Sequence, residues 1–169
     1  MKLNKIFKLL IDIAFFLMIP FVIFFPGTIL YVLLFPEQTI IDNNLPFATT
    51  DSQFLSILVS LIVFVQVILF FMGFYNLREF ANLLLKNKIF SNSVIIRTKR
   101  TGQFFTSCSI LYIISTISES YSSHSESLNG SFHFSFLPYF LLIIGIFFLL
   151  LSDAFARALK LKEENDLTV

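Results

Sequence analysis

The sequence is poor in charge, in cysteine and in tryptophan. Asp, Glu, Lys and Arg make up 14% of its 169 residues, about half the share found in soluble domains. This scarcity excludes a soluble enzyme, a nucleic-acid-binding domain and a disordered tail, because each of these depends on charged residues. The single cysteine, Cys108, excludes an internal disulfide framework and a cysteine-based metal cluster. The lack of tryptophan leaves no indole to mark a membrane interface.

The chain is instead apolar and rich in phenylalanine. Hydrophobic residues make up 56% of it, 24 residues are Phe, and four long windows contain no charged residue. A helix needs about 20 residues to cross the roughly 30 Å of hydrocarbon in a bilayer. Three windows exceed that length and one only just approaches it. The sequence therefore predicts four transmembrane spans, at residues 13–35, 53–77, 101–118 and 134–152.

The third predicted span differs from the others in its polarity. It reads TGQFFTSCSILYIISTIS and is rich in Ser and Thr. Hydroxyl groups in a membrane bond to other helices or to carbonyls of their own helix. We therefore expect this span to be buried among its neighbours.

The distribution of basic residues predicts the topology. All 12 Lys and Arg residues precede span one, lie between spans two and three, or follow span four. The two other connections contain Asp and Glu but no Lys or Arg. The positive-inside rule then places both termini and the loop 78–100 in the cytoplasm. The apolar run after Lys2, Lys5 and Lys8 is too long for a signal peptide, so we interpret it as an uncleaved first span. We expect a multi-pass protein of a bacterial inner (plasma) membrane.

Helices two, three and four are expected to extend into the cytoplasm. Span two continues as LREFANLLLK, Ser91 is a plausible N-cap for a helix beginning near Asn92, and span four continues as DAFARALKLKEE, in which Asp153 and Arg157 are separated by one helical turn. The predicted fold is an all-α, four-helix transmembrane bundle. It forms a single domain over residues 1–169, with a cytoplasmic helical loop at 78–100 and a cytoplasmic tail at 153–169.

Few residues inside the spans are polar or break a helix. Pro20 and the pair Pro26 and Gly27 interrupt span one, and the carbonyls that the prolines free could bind a cation or a substrate. A kink satisfied by neighbouring helices is the more common arrangement, and we favour it. Gln66, near the middle of span two, is expected to bond across a helix interface. Asp12 lies at the end of span one, one turn from Lys8, and is expected to mark the membrane interface.

No pattern in the sequence indicates catalysis or a bound metal. The external segment contains His124 and His133 with two glutamates, but their spacing matches no known zinc pattern. Cys108 is expected to pack as a small apolar residue. There is no Ser-His-Asp arrangement, phosphate-binding loop or pair of catalytic carboxylates. We therefore expect no enzymatic activity, no cofactor and no metal.

The basic clusters beside the membrane are open to three interpretations. They set the topology, they attract anionic lipids, and together with nearby apolar residues they could form a docking face for a soluble protein. The residues assigned to such a face are Phe90, Ser91, Arg97, Lys99, Arg100, Lys160 and Lys162.

These cytoplasmic segments carry a family resemblance. The stretch LLLKNKIFSNSVIIRTKRTGQFF resembles the central loop of a bacterial integral-membrane family known as domain of unknown function 2975, and LKEENDLTV, residues 161–169, is similar to the tail of that family. Asn87 and Lys88 stand where a glycine is expected in the turn. The residues that carry the resemblance in the loop are Phe90, Ser91, Arg97, Lys99, Arg100 and Gly102.

The resemblance implies a four-helix inner-membrane protein without an assigned reaction. Members of the family are often encoded beside a small helix-turn-helix regulator of the Cro/repressor type. The expected function is that of a membrane interaction or sensor partner of such a cytosolic regulator, without direct binding to nucleic acid. The alternative is a small transporter or channel subunit that acts as a homo-oligomer around span one and Gln66.

Overall fold

The described residues of the chain form four long α-helices. A computed structural model describes residues 2–34, 53–86, 91–123 and 136–167. The helices are α1 (Lys2–Leu34), α2 (Gln53–Leu85), α3 (Asn92–Ser123) and α4 (Phe136–Asp166). At 1.5 Å per residue each is about 50 Å long, which exceeds the thickness of the hydrocarbon in a bilayer. The prediction of an all-α fold with four helices is confirmed.

The helix boundaries on either side of the central loop follow the sequence signals. α3 begins at Asn92, as predicted, and the carbonyl of Ser91 accepts hydrogen bonds from the N–H groups of Val94 at 3.0 Å and Ile95 at 3.4 Å. α2 continues to Leu85, well past its predicted span. Helices of about 50 Å are longer than the roughly 30 Å of hydrocarbon in a bilayer, so one or both ends of each would extend beyond it.

Three of the four helices are long and apolar enough to cross a membrane. The qualifying segments are Asn4–Gly27 of α1, Leu61–Leu85 of α2 and Phe136–Asp166 of α4. α3 does not qualify, because its Ser and Thr residues and its basic first turns lower its hydropathy. The fourth span, expected at residues 101–118, therefore stays a prediction.

Successive helices run antiparallel and pack side by side. α1 packs on α2, and α3 packs on both α2 and α4. Phe80 of α2 also meets α4 directly, with its ring centroid 6.5 Å from that of Phe148 and 6.2 Å from that of Phe155. Helices α2, α3 and α4 therefore form a three-helix core, and α1 is attached to the outer side of α2.

One face of α3 is fully buried in the N-terminal half of the helix. Val94, Thr98 and Thr101 have no solvent-exposed surface. The hydroxyl of Thr98 donates to the carbonyl of Val94 at 2.8 Å, and that of Thr101 donates to the carbonyl of Arg97 at 2.9 Å. The Ser- and Thr-rich span at residues 101–118 is buried among its neighbours on this face and exposed on the opposite one, so the expectation is confirmed in part.

The contact between α3 and α4 depends on two glycines. A Cβ atom on Gly102 would lie 2.7 Å from the carbonyl oxygen of Gly145, and one on Gly145 would lie 2.8 Å from the backbone nitrogen of Thr106. The two backbones therefore touch, as in other membrane helix pairs joined by small residues. On either side of this contact, Ser152 donates to the carbonyl of Ile95 at 3.0 Å and Ser109 donates to the carbonyl of Pro138.

Candidate functional site

The antiparallel order of the helices gathers the basic residues at one end of the bundle. This basic end consists of the N-terminal parts of α1 and α3 and the C-terminal parts of α2 and α4. Every Lys and Arg in the described ranges lies on one of these four parts, from Lys2 of α1 to Lys162 of α4. Charges that the sequence distributes over three segments therefore belong to one end of the molecule.

An ion pair fastens α1 to α2 near the basic end. Nε of Arg78 donates to Oδ1 of Asp12 at 2.6 Å, and the side chains are 30% and 25% exposed. The guanidinium carbon also lies 5.1 Å from the ring centroid of Phe15 and 5.6 Å from that of Phe16, a cation–π arrangement. Lys8, the neighbour that the sequence suggested for Asp12, is 4.0 Å from the carboxylate. Sequence spacing missed Arg78 because it reports only contacts within one helix.

Arg97 points into the bundle. Its Nη1 donates to Oδ1 of Asn76 on α2 at 3.1 Å, and Nδ2 of the buried Asn76 donates to the carbonyl of Met72 at 2.8 Å. Arg97 therefore belongs to the contact between α2 and α3. The structure separates it from the two basic residues beside it, with which the sequence grouped it.

Lys99 and Arg100 lie on the opposite, exposed face of α3. Helical periodicity explains why these neighbours face different ways. Val94, Thr98 and Thr101 are spaced three or four residues apart and share the inner face, whereas residues 99 and 100 do not fit that spacing and lie outside this face. Ser91 stands at the start of the helix, at the basic end. Phe90 lies outside the described residues. Of the loop residues assigned to a docking face, Lys99 and Arg100 are thus the two basic ones that face outward.

α4 extends further at the basic end than α3 does. Ser152 meets Ile95, three residues after the start of α3, so α4 passes the end of α3 near residue 155. The remaining residues, 156–166, form a segment about 16 Å long that we call the projecting segment. Residues 160–166 are all exposed, and Lys160 pairs with Glu164 at 3.7 Å within the segment. Asp153 and Arg157 are also exposed, and the ion pair predicted between them is absent from this described stretch.

Comparison with known families identifies the chain. The family model described as protein of unknown function (DUF2975) matches residues 41–169. The chain belongs to this family. No curated protein and no solved structure matches it significantly. The family match begins after α1, so it covers the three-helix core and the basic end of that core but leaves α1 outside. The resemblance noted in the sequence is confirmed.

The polar residue inside the second span of this DUF2975 member is part of the helix packing. Nε2 of Gln66 donates to the hydroxyl of Ser115 at 3.3 Å, and the thiol of Cys108 donates to the carbonyl of Gln66 at 3.4 Å. Both partners lie on α3. Gln66 is buried, and its side chain is engaged across the interface between α2 and α3.

The prolines of α1 leave the helix continuous. α1 runs from Lys2 to Leu34 through both Pro20 and Pro26, which are exposed. A Cβ atom on Gly27 would meet no atom of the described residues within 4 Å. Because α1 has no unwound turn at these positions, its backbone presents no cluster of free carbonyls toward the core.

The described residues contain no group of three or more His, Cys, Asp or Glu side chains that could hold a metal ion. His124 and His133 lie outside the described residues. The described part of the chain presents a basic end, a projecting helix and an apolar exterior.

Proposed function

We propose that the protein is a four-span bacterial inner-membrane protein whose basic end binds a small cytosolic helix-turn-helix regulator. The observation that carries the proposal is the projecting segment of α4, which begins eight residues, about 12 Å, beyond the level of Lys99 on α3. A helix that continues about three turns beyond its packing partner presents side chains that the bundle itself does not use.

The packing of α3 supports its place as the fourth span. α3 lies along both α2 and α4, the two core helices that are apolar enough to cross a membrane. It therefore shares their depth in the bilayer, and its buried Thr and Ser hydroxyls are bonded to backbone carbonyls inside the bundle. Positive residues at one end only then favour a cytoplasmic position for that end.

The charge of the basic end supports an acidic partner surface. Lys99, Arg100 and Lys160 are exposed, and Leu161 of the projecting segment is 65% exposed. Basic residues beside an exposed apolar side chain suit a partner face that is acidic with an apolar centre. A DNA-binding regulator would dock through a face other than its basic DNA-contacting face. Docking would hold the regulator at the membrane, and a change in the bundle would release it.

Reversal of charge tests this proposal. We expect Lys99→Glu with Arg100→Glu, or Lys160→Glu with Lys162→Glu, to abolish recovery of the regulator after in-cell crosslinking and purification in mild detergent. The matched control is Lys5→Glu with Lys86→Glu, which changes the same number of exposed charges on α1 and α2. Arg97 is left intact because it binds Asn76. Undiminished recovery with both test variants, or equal loss with the control, would rule out the assigned face.

The alternative function is a small oligomeric transporter or channel. It depends on Gln66 and on Pro20 and Pro26 of α1, and the structure gives these residues less support than it gives the basic end. Gln66 is bonded to Ser115, and the prolines lie on the exposed side of an unbroken helix. A substrate flux or resistance that is lost with Gln66→Leu, while regulator recovery persists, would favour the alternative.

A further inference from the structure

One exposed face of α3 has regularly spaced residues. Some of them are polar, although they lie at a depth where the outer face of α4 is apolar. The residues of the α3 face are exposed and lie alternately four and three apart, a spacing typical of a seam between two helices. We call this face the α3 seam, and its residues are Ile96, Arg100, Gln103, Ser107 and Ile110.

Register with α4 gives the depth of the α3 seam. Gly102 touches Gly145, so Gln103 lies at the level of Gly145. That level is eight residues, about 12 Å, inside Asp153, the first charged residue of α4. Ile143 and Phe147, on the outer face of α4 beside this level, are 64% and 58% exposed. By the same register Arg100 lies at the level of Phe147, so Gln103 is an exposed amide in a belt that is apolar on α4 and that begins about one turn inside Arg100 on α3.

The amide of Gln103 lacks a hydrogen-bond partner among the described residues. An amide without a partner in hydrocarbon costs several kcal/mol, so such a group is stabilised by another polar group at the same depth. Lipid acyl chains offer neither a donor nor an acceptor. A second membrane helix with a polar side chain at this depth supplies the missing hydrogen-bond partner.

We propose that the α3 seam is the interface of a parallel homodimer in which Gln103 bonds to Gln103 of a second copy. Two copies inserted in the same direction meet around a two-fold axis along the membrane normal, so identical residues face each other at identical depth. A Gln side chain both donates and accepts, which makes it complementary to itself. Ser107, one turn away, is small enough to let the two backbones approach. The inference rests on the proposed membrane placement of α3.

Arg100 gives the proposed dimer a distinctive property. It occupies the seam one turn nearer the basic end than Gln103, so a two-fold axis brings two guanidinium groups toward each other. Like charges at such positions oppose association. The dimer is therefore held together by Gln103 and Ser107 and weakened at Arg100. Lys99, which lies beside the seam, has no such effect.

Cysteine crosslinking in native membranes tests the interface. In a Cys108→Ala background, which keeps Gln103 intact, we expect Ile96→Cys and Ile110→Cys to form disulfide-linked dimers at least about fivefold more efficiently than Ile143→Cys and Phe147→Cys. The last two are the controls, because they lie on the outer face of α4 at depths between those of Ile96 and Ile110. Equal crosslinking at all four positions, no crosslinking at the α3 seam, or crosslinking to a band of a different mass would each overturn the homodimer.

Polar and charged variants distinguish the dimer from a lipid site. Gln103→Leu should weaken self-association about fivefold, as expected for one interhelical hydrogen bond, and Gln103→Asn should retain it. Arg100→Leu should strengthen self-association, whereas Lys99→Leu should leave it unchanged. Loss of self-association with Arg100→Leu, or loss of a tightly bound anionic phospholipid with no change in oligomeric state, would instead assign this face to a lipid headgroup.

Maleimide labelling separates failure of the interface from failure of the membrane placement. Gln103→Cys should be protected from a membrane-impermeant maleimide. Protection without crosslinking would overturn the dimer and leave α3 in the bilayer. Rapid labelling would place this part of α3 outside the hydrocarbon and would overturn the inference together with the four-span arrangement.

Discussion

The contact between Asp12 and Arg78 shows how one pair of residues can hold a peripheral helix. Both side chains are largely shielded from solvent, and the guanidinium is enclosed by the carboxylate on one side and by the rings of Phe15 and Phe16 on the other. A charge-assisted hydrogen bond in such a setting contributes more than an exposed ion pair, because water screens it less. Lys8, more loosely placed, adds little.

We expect Asp12→Asn to destabilise the protein by about 1–2 kcal/mol, because it leaves a partly buried guanidinium without its counter-charge. Lys8→Gln is the matched control and should change stability by less than about 0.5 kcal/mol. Thermal unfolding of the detergent-solubilised protein, followed by size-exclusion chromatography, measures both. Equal effects of the two variants would mean that the Arg78 contact contributes no more than the Lys8 contact.

The pairing of α3 and α4 is a contact at which two glycines bring the backbones of neighbouring helices together. Gly102 and Gly145 allow the two backbones to touch, and the hydrogen bonds from Ser152 and Ser109 fix the register on either side. Because the obstacle at each glycine is backbone as well as side chain, rotation of a side chain cannot relieve it.

Gly145→Ala is therefore expected to destabilise the protein by about 1–3 kcal/mol, since α3 and α4 must separate to admit the methyl group. Gly27→Ala is the matched control, because its Cβ atom would meet nothing within 4 Å. It should be neutral or stabilise α1 by up to about 1 kcal/mol through the higher helix propensity of alanine. The same thermal measurement applies, and a tolerated Gly145→Ala would show that the helices are not in backbone contact.

For the molecule as a whole, the gathering of basic residues at one end predicts its orientation in the membrane. We expect a C-terminal green fluorescent protein fusion to be fluorescent and a C-terminal alkaline phosphatase fusion to be inactive, because the positive-inside rule places the end of α4 in the cytoplasm. Fusions after α3, at Ser123, should behave in the opposite way. An active phosphatase at the C-terminus would reverse the orientation and would leave the proposed docking face on the wrong side for a cytosolic regulator.

Local signals in the sequence predicted the elements better than the contacts between them. The start of α3 at Asn92 follows from Ser91 and from the helical spacing beyond it, and both are visible in one segment of the chain. The inward direction of Arg97 was in principle visible as well, since Val94, Thr98 and Thr101 mark the inner face by their spacing. The pairing of Asp12 with Arg78 and the meeting of Gly102 with Gly145 depend on how helices distant in sequence pack. No spacing within a single helix reports them.

The close contact at Gly102 and Gly145 has a mechanical consequence for the projecting segment. α4 is clamped to α3 at Gly145 and again at Ser152, and from Gly145 to Asp166 it runs as a rod about 32 Å long. A helix that tilts to match a thinner bilayer carries its outer end with it. For a tilt of about 10°, a lever of this length moves its tip by about 5 Å. Bilayer thickness would thus be converted into a sideways displacement of the end of α4 that carries Lys160 and Leu161, parallel to the membrane surface.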